Sequence, residues 1–199
     1  MPKQVDHEAR RRQIAAAVCR LADESGLEGV TLRDVAARAE VSMGAVQRCF
    51  RTKEEMLVFA LGYVGELVAD RVRARLLRSP AQSPATALGH AAAEIALLEE
   101  EHRAEARVWL AFLAQAAVSE PLARVLRTDY AALEDRFTQL IAEAGGPGTP
   151  AGRGAAARRE ARTLLALADG LTAHVLVGHL APRAAYEVLD AHLARLWAD

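Results

Sequence analysis

The stretch that most constrains this chain runs from Thr31 to Glu54: T-L-R-D-V-A-A-R-A-E-V-S-M-G-A-V-Q-R-C-F-R-T-K-E. Leu32, Val35, Ala36 and Ala39 recur at i, i+3, i+4 and i+7, the spacing of a helix that buries one stripe. Thr31 stands just before that run with Asp34 three residues on, a pairing that resembles a capping box and satisfies orphan amides of a first helical turn. The pattern stops at Glu40 and Val41, and Ser42 is placed to cap a second short helix with Val46 and Phe50 on its inward side. Thr52-Lys53-Glu54-Glu55 is a full T-x-x-E box opening a third, longer element. Two short helices, a tight turn and a third helix start make a helix-turn-helix unit.

In such a unit the second helix lies in the DNA major groove with its N-terminal residues against base edges. Here that helix begins with Met43, Gly44 and Ala45, which are small or slender and let the backbone come close. Gln47 and Arg48 follow with reach: glutamine pairs with adenine, arginine with guanine, and either can hold a phosphate. Lys53, at the first helical position beside free amides, suits a phosphate. Thr31, Arg33 and Ser42 complete the expected DNA-contacting set. The run Arg10-Arg11-Arg12 is open to two readings, a phosphate contact or a solvated face.

From Arg12 to Leu57 the chain resembles the DNA-binding domain of the TetR family of bacterial repressors. The resemblance is carried by T-L-R-D-V-A, the V-S turn, G-A-V on the recognition helix and F-R-T-K-E-E-M after it. It differs at three positions: Glu40 stands where the family usually has glycine, Gln47 where it has tyrosine and Cys49 where it has histidine. A non-glycine residue in a left-handed turn costs about 1 kcal/mol, so a slightly different turn is expected at Glu40. Gln47 and Cys49 prevent the operator sequence from being carried over from relatives.

The net charge of −1 would argue against a nucleic-acid partner, but its distribution does not. Residues 1–53 hold ten Lys/Arg against seven Asp/Glu, so the surplus of positive charge lies with the helix-turn-helix and the acidic balance with the rest. A hydrophobic content of 52% supplies a core, and abundant alanine and leucine with few aromatics favour helices over sheets. The longest apolar run, Val108 to Val118, falls well short of the roughly 20 residues of a membrane helix. The charged N-terminus is unlike a signal peptide, so a cytoplasmic protein with no membrane partner is expected.

The expected fold is all-α with about nine helices: residues 1–54 as a three-helix DNA-binding domain and 55–199 as an effector-binding and dimerisation domain. The third helix is expected to run from Thr52 to about Arg78, ended by S-P-A-Q-S-P. Ser83 then caps a helix from Pro84 that fades in the charged run Glu99 to Arg103. Val108 to Val118 is expected as a nearly all-round apolar helix, followed by one from Ser119-Glu120-Pro121 to about Ala144. Gly145 to Gly154 is a glycine- and proline-rich loop, and two helices remain, about Ala156–His179 and Pro182–Ala198.

From Glu105 to Trp197 the chain is also similar to BetI-like regulatory domains, through A-R-V-W-L-A-F-L-A-Q-A, D-G-L at Asp169 to Leu171, and V-L-D-A-H-L-A-R-L. That resemblance implies a ligand-sensing, dimerising body. Independently, Leu164, Leu167, Leu171, Val175 and Gly178 make one helical stripe while Leu165, Leu176 and Leu180 make another; a helix apolar on two faces calls for two partners. Leu189, Leu193, Leu196 and Trp197 add a stripe on the last helix. A homodimer joined through these last two helices is therefore expected, its two recognition helices reading half-sites about one DNA turn apart.

Polar and aromatic residues within the otherwise apolar body are the candidate lining of an effector pocket: Phe59, Tyr63, His90, Glu94, Trp109, Phe112, Gln115, Tyr130, Phe137 and Asp169. Each has a plain structural alternative, core packing for Trp109 and Phe112 and a helix–helix hydrogen bond for Asp169. His90 and Glu94 are one turn apart, but two ligands do not make a metal site, and no metal or cofactor is expected. No H-E-x-x-H, G-x-S-x-G, Walker A or G-x-G-x-x-G motif occurs, so an enzyme is not expected. The remaining alternatives are a DNA binder without an effector and a redox sensor using Cys49; buried filler is the commoner role for such a cysteine.

Overall fold

The computed structural model describes residues 2–78, 83–145 and 154–197. Among them are nine α-helices and one 3-10 turn, with no strand. They are α1 (Pro2–Ser25), α2 (Leu32–Arg38), α3 (Met43–Cys49), α4 (Lys53–Arg78), α5 (Pro84–Ile95), a 3-10 turn at Glu100–His102, α6 (Arg103–Ala116), α7 (Glu120–Gly145), α8 (Gly154–Leu176) and α9 (Pro182–Arg195). The breaker after Arg78 and the loop after Gly145 fall largely outside the described residues.

The helices form two compact units. One comprises residues 1–67 and 107–127, the other 68–106 and 128–199. The division falls inside α4, α6 and α7.

In the first unit α1 packs against α2 and α3, and α2 against α3. Ile14 and Val18 of α1, Val35 of α2 and Val46 of α3 are fully buried, as are Phe50 and Met56 beyond α3. Burial of each such side chain contributes about 1.5–3 kcal/mol. Polar ties supplement this core: Gln13 Nε2 donates to the Ala39 carbonyl at 2.8 Å, and Arg107 Nε pairs with Asp23 Oδ1 at 2.5 Å.

The stretch Val108–Val118 departs from expectation. Its helix begins earlier, at Arg103, and is amphipathic: Val108, Phe112 and Ala116 are buried at four-residue spacing, whereas Val118 is 81% exposed just past the helix end. The run of apolar letters reflects alanines, which a helix exposes at little cost, so it does not mark a helix buried all round.

The second unit buries Leu88 and Ala92 of α5, Phe137 and Ile141 of α7, Leu164, Ala168 and Leu171 of α8 and Leu189 of α9 in one cluster. Two buried or half-buried polar contacts lie within it. Thr172 donates its hydroxyl to the Ala96 carbonyl at 2.7 Å, and the Tyr130 hydroxyl donates to Asp169. Burial, then the Asp169 carboxylate, push the Tyr130 phenol far up, so it remains a neutral donor.

Candidate nucleic-acid interface

The recognition element is built from its caps. Thr31 Oγ1 accepts from the Asp34 amide at 3.2 Å and donates to Asp34 Oδ2 at 2.6 Å, which starts α2. At the other end of α2, the Glu40 amide reaches the Ala37 carbonyl and the Val41 amide the Ala36 carbonyl, at 3.1 and 3.0 Å. These two bonds are those of a Schellman motif. Its turn residue is Glu40, with φ +53°, so the expected altered turn is not found: glutamate takes the left-handed conformation itself. Ser42 Oγ then accepts from the Ala45 amide at 3.2 Å and sets the start of α3.

Thr52 Oγ1 accepts from the Glu55 amide at 3.0 Å, as expected of the capping box that opens α4. The reciprocal arm is shifted by one residue, because Glu55 Oε2 accepts from the Arg51 amide at 2.8 Å instead of the Thr52 amide. The backbone between α3 and α4 is held from both sides by this arrangement.

Along this surface Arg33, Met43, Gln47 and Arg48 are exposed, and Gly44 and Ala45 are half-buried. Thr31 and Ser42 are exposed too, with their side chains engaged as caps. Among the described residues no acidic side chain pairs with Arg33, Arg48 or Arg51. Arg51 is exposed between α3 and α4 and was not singled out from sequence; its place beside Thr52 is the signal that could have found it. Lys53 differs from expectation in being half-buried, with Nζ 3.5 Å from both the Leu27 and Glu28 carbonyls. Its ammonium therefore ties the start of α4 to the turn after α1.

Of the arginine run, Arg11 and Arg12 are used inside the unit. The Arg11 guanidinium lies 4.8 Å from the Phe50 ring centre and 4.3 Å from that of Phe59, and Arg12 pairs with Glu66 at 2.7 Å. Cys49 is buried, and burial pushes its thiol up despite Arg11, Arg10 and Arg48 nearby. Little of the reactive thiolate is then available.

The ten candidate pocket residues are shared between the two units. Phe59, Tyr63, Trp109, Phe112 and Gln115 belong to the first unit, and His90, Glu94, Tyr130, Phe137 and Asp169 to the second. Phe112 and Phe137 are core, Phe59 packs with Phe50 and Arg11, and Tyr130 and Asp169 bond each other.

His90 and Glu94 line a cavity of about 430 Å³ in the second unit. Three arginines of α4 that the sequence reading missed join them, Arg71, Arg75 and Arg78, with Glu99, Glu101 and His102 on the segment after α5. Their spacing, i, i+4 and i+7, was the available signal for one helix face. Glu94 is 7% exposed and bridges Arg71 at 3.3 Å and Arg75 at 2.9 Å, while Arg71 also forks onto Glu105 at 2.5 and 3.0 Å. Burial alone would raise the Glu94 carboxyl, but the Arg75 and Arg71 guanidiniums outweigh it and hold the group below its ordinary value. Among the described residues no cluster of three or more His, Cys, Asp or Glu is placed to hold a metal.

The expected dimer stripe is also divided. Leu164, Leu171, Val175 and Leu189 fill the second unit's own core, which removes them from any face open to a second copy. Leu167, Leu193 and Leu196 are half-buried against that core. Gly178 is off the helix altogether, in the left-handed turn after α8 with φ +74°. The large apolar side chains left exposed on or beside α8 and α9 are Val177 and Val188.

Comparison with known proteins agrees across both regions. Residues 14–58 match the family model described as bacterial regulatory proteins, tetR family, and residues 84–198 match that of the BetI-type transcriptional repressor C-terminal domain. The chain is 35% identical to the HTH-type transcriptional regulator BetI of Burkholderia thailandensis, over 86% of this chain and 84% of that one. It is 40% identical to the HTH-type transcriptional regulator PksA of Bacillus subtilis over 58% of its length, spanning 56% of PksA. A crystal structure of a transcriptional regulator from Rhodococcus superposes with TM-score 0.81 at 34% identity, covering 94% of this chain and 95% of that one. One from Saccharomonospora viridis, in complex with choline, superposes with TM-score 0.79 at 24% identity, covering 94% and 96%.

Proposed function

This chain belongs to the TetR family of bacterial transcriptional regulators, and from that premise we propose that it is a homodimeric cytoplasmic repressor released from operator DNA by a small molecule. The observation that carries the reading is α3: a capped helix whose exposed side includes Met43, Gln47 and Arg48, followed by Arg51, with no acidic partner on either arginine among the described residues. Gln47 and Arg48 read base edges, while Arg33, Arg51 and Lys53 hold phosphates. Thr31 and Ser42 act mainly by fixing the helix starts, and Gly44 and Ala45 let the backbone approach.

The second copy meets the exposed sides of α8 and α9 around Val177 and Val188, with Leu167, Leu193 and Leu196 at the edges. Two-fold symmetry then presents two copies of α3 to a palindromic site. Helix α4 runs unbroken from Lys53 to Arg78, so it is the element through which ligand binding in the second unit changes DNA affinity, and DNA binding changes ligand affinity by the same factor. No helix among the described residues is long and apolar enough to cross a membrane.

The test is selection of binding sites from a random duplex library, then binding of the selected DNA by fluorescence anisotropy at several salt concentrations. Recovery of a palindrome bound by a dimer is expected, with affinity falling steeply as salt rises. Enrichment of no sequence overturns the reading.

A further inference from the structure

Resting on that effector reading, we infer that the cavity between α4 and α5 takes a small zwitterion, a molecule carrying both a carboxylate and an amine. Arg75, His90 and Arg78 bring donors to the lining of this cavity. Arg75 gives its Nε to His90 Nδ1 at 3.2 Å, which leaves the His90 proton on Nε2, free to donate. Arg78, one turn further on, bonds the Ala74 carbonyl of its own helix at 3.2 Å and, among the described residues, meets no carboxylate. A ligand carboxylate matches the guanidinium forks there.

The same lining offers acceptors. Among the described residues Glu101 pairs with the His102 ring alone, at 3.7 Å, and Glu99 uses one oxygen to accept the Tyr186 hydroxyl at 3.0 Å. Among the described residues His102 Nδ1 is buried with no hydrogen-bond partner, an unmet site of the kind a bound ligand satisfies. Glu94, already bonded to Arg71 and Arg75, is occupied by the protein itself. A simple anion meets the carboxylates of this lining and a simple amine its guanidiniums. A molecule with both charges satisfies both.

Titration calorimetry and thermal shift on the full-length protein, with 6-aminohexanoate, hexanoate and hexylamine as matched probes, test this. Binding of 6-aminohexanoate about tenfold tighter than either single-charge probe is expected, with a rise in melting temperature. Arg78→Ala should abolish that preference without unfolding the protein, since the side chain is exposed and its hydrogen bond among the described residues is to its own helix. No binding of 6-aminohexanoate, equal binding of hexanoate or hexylamine, or an unchanged preference in Arg78→Ala overturns the inference. The selected DNA separates the two proposals. Release by a ligand lacking one of the charges, with no response to 6-aminohexanoate, sinks the zwitterion site and leaves the effector reading standing. Tight binding of 6-aminohexanoate without release supports the site and sinks the effector reading.

Discussion

The arginines of the two units are used in opposite ways. On the helix-turn-helix, Arg33, Arg48 and Arg51 have no acidic partner among the described residues, whereas in the second unit Arg71 and Arg75 are bonded to Glu94 and Glu105. Unpaired surface cations project their field outward and draw in a polyanion, at little consequence for folding. Paired and partly buried ones cancel locally, and their energy enters the stability of the fold. Substitutions in the first group should therefore be read out in DNA binding and in the second group in unfolding.

The strongest test of this contrast is Glu94→Ala. It leaves Arg71 and Arg75 without their shared carboxylate and should cost about 3 kcal/mol of stability, measured by urea unfolding followed by circular dichroism. The pH dependence gives a second measure. An ordinary glutamate titrates at 4.5 and Glu94 is held below that in the fold, so its contribution is complete above about 4.5 and disappears as pH falls through the lowered value. Glu94→Gln should lack that part of the acid loss. If both variants unfold like the parent, the network is ornamental and the contrast fails.

Next in size is Arg48→Ala, expected to cost about 1–3 kcal/mol in affinity for the selected operator and to relax preference at one base pair. Its unfolding midpoint should stay within about 0.5 kcal/mol of the parent. Lys53→Ala sharpens the division because Lys53 has a part in both: its ammonium lies near two carbonyls, at 3.5 Å, and it opens α4. As a phosphate contact it should lower the log–log salt slope by about 0.9. An unchanged slope with reduced stability would assign it to the packing of the first unit alone.

The helix-turn-helix was legible because its signals are local. Thr31, Ser42 and Thr52 act within three residues of themselves, and each is found bonded as its spacing implied. The body was legible only as a set of helices. Which face of α8 is inside depends on α5, α7 and α9, distant in sequence, and so Leu164 and Leu171 entered the core although their stripe alone could as well have met a second copy. The cavity depended on long-range pairing too: Arg71 and Glu105 are 34 residues apart. Aromatic content drew attention to Trp109, Phe112 and Phe137, yet two of these three are fully buried and the open space is lined by charge.

The smallest expected effect is at Glu40, which tests whether the first unit's turn is as local as its caps. Its φ of +53° is the left-handed conformation of a Schellman turn, costing a residue with a Cβ about 1 kcal/mol. Glycine removes that cost but has more freedom to lose on folding, roughly 0.5–1 kcal/mol. Glu40→Gly should therefore be neutral to slightly stabilising, by up to about 0.5 kcal/mol, with operator preference unchanged because the hydrogen bonds from Glu40 and Val41 are both backbone bonds. A clear loss of stability in urea would show that the Glu40 side chain holds the turn, and a changed operator preference would show that the turn sets the aim of α3.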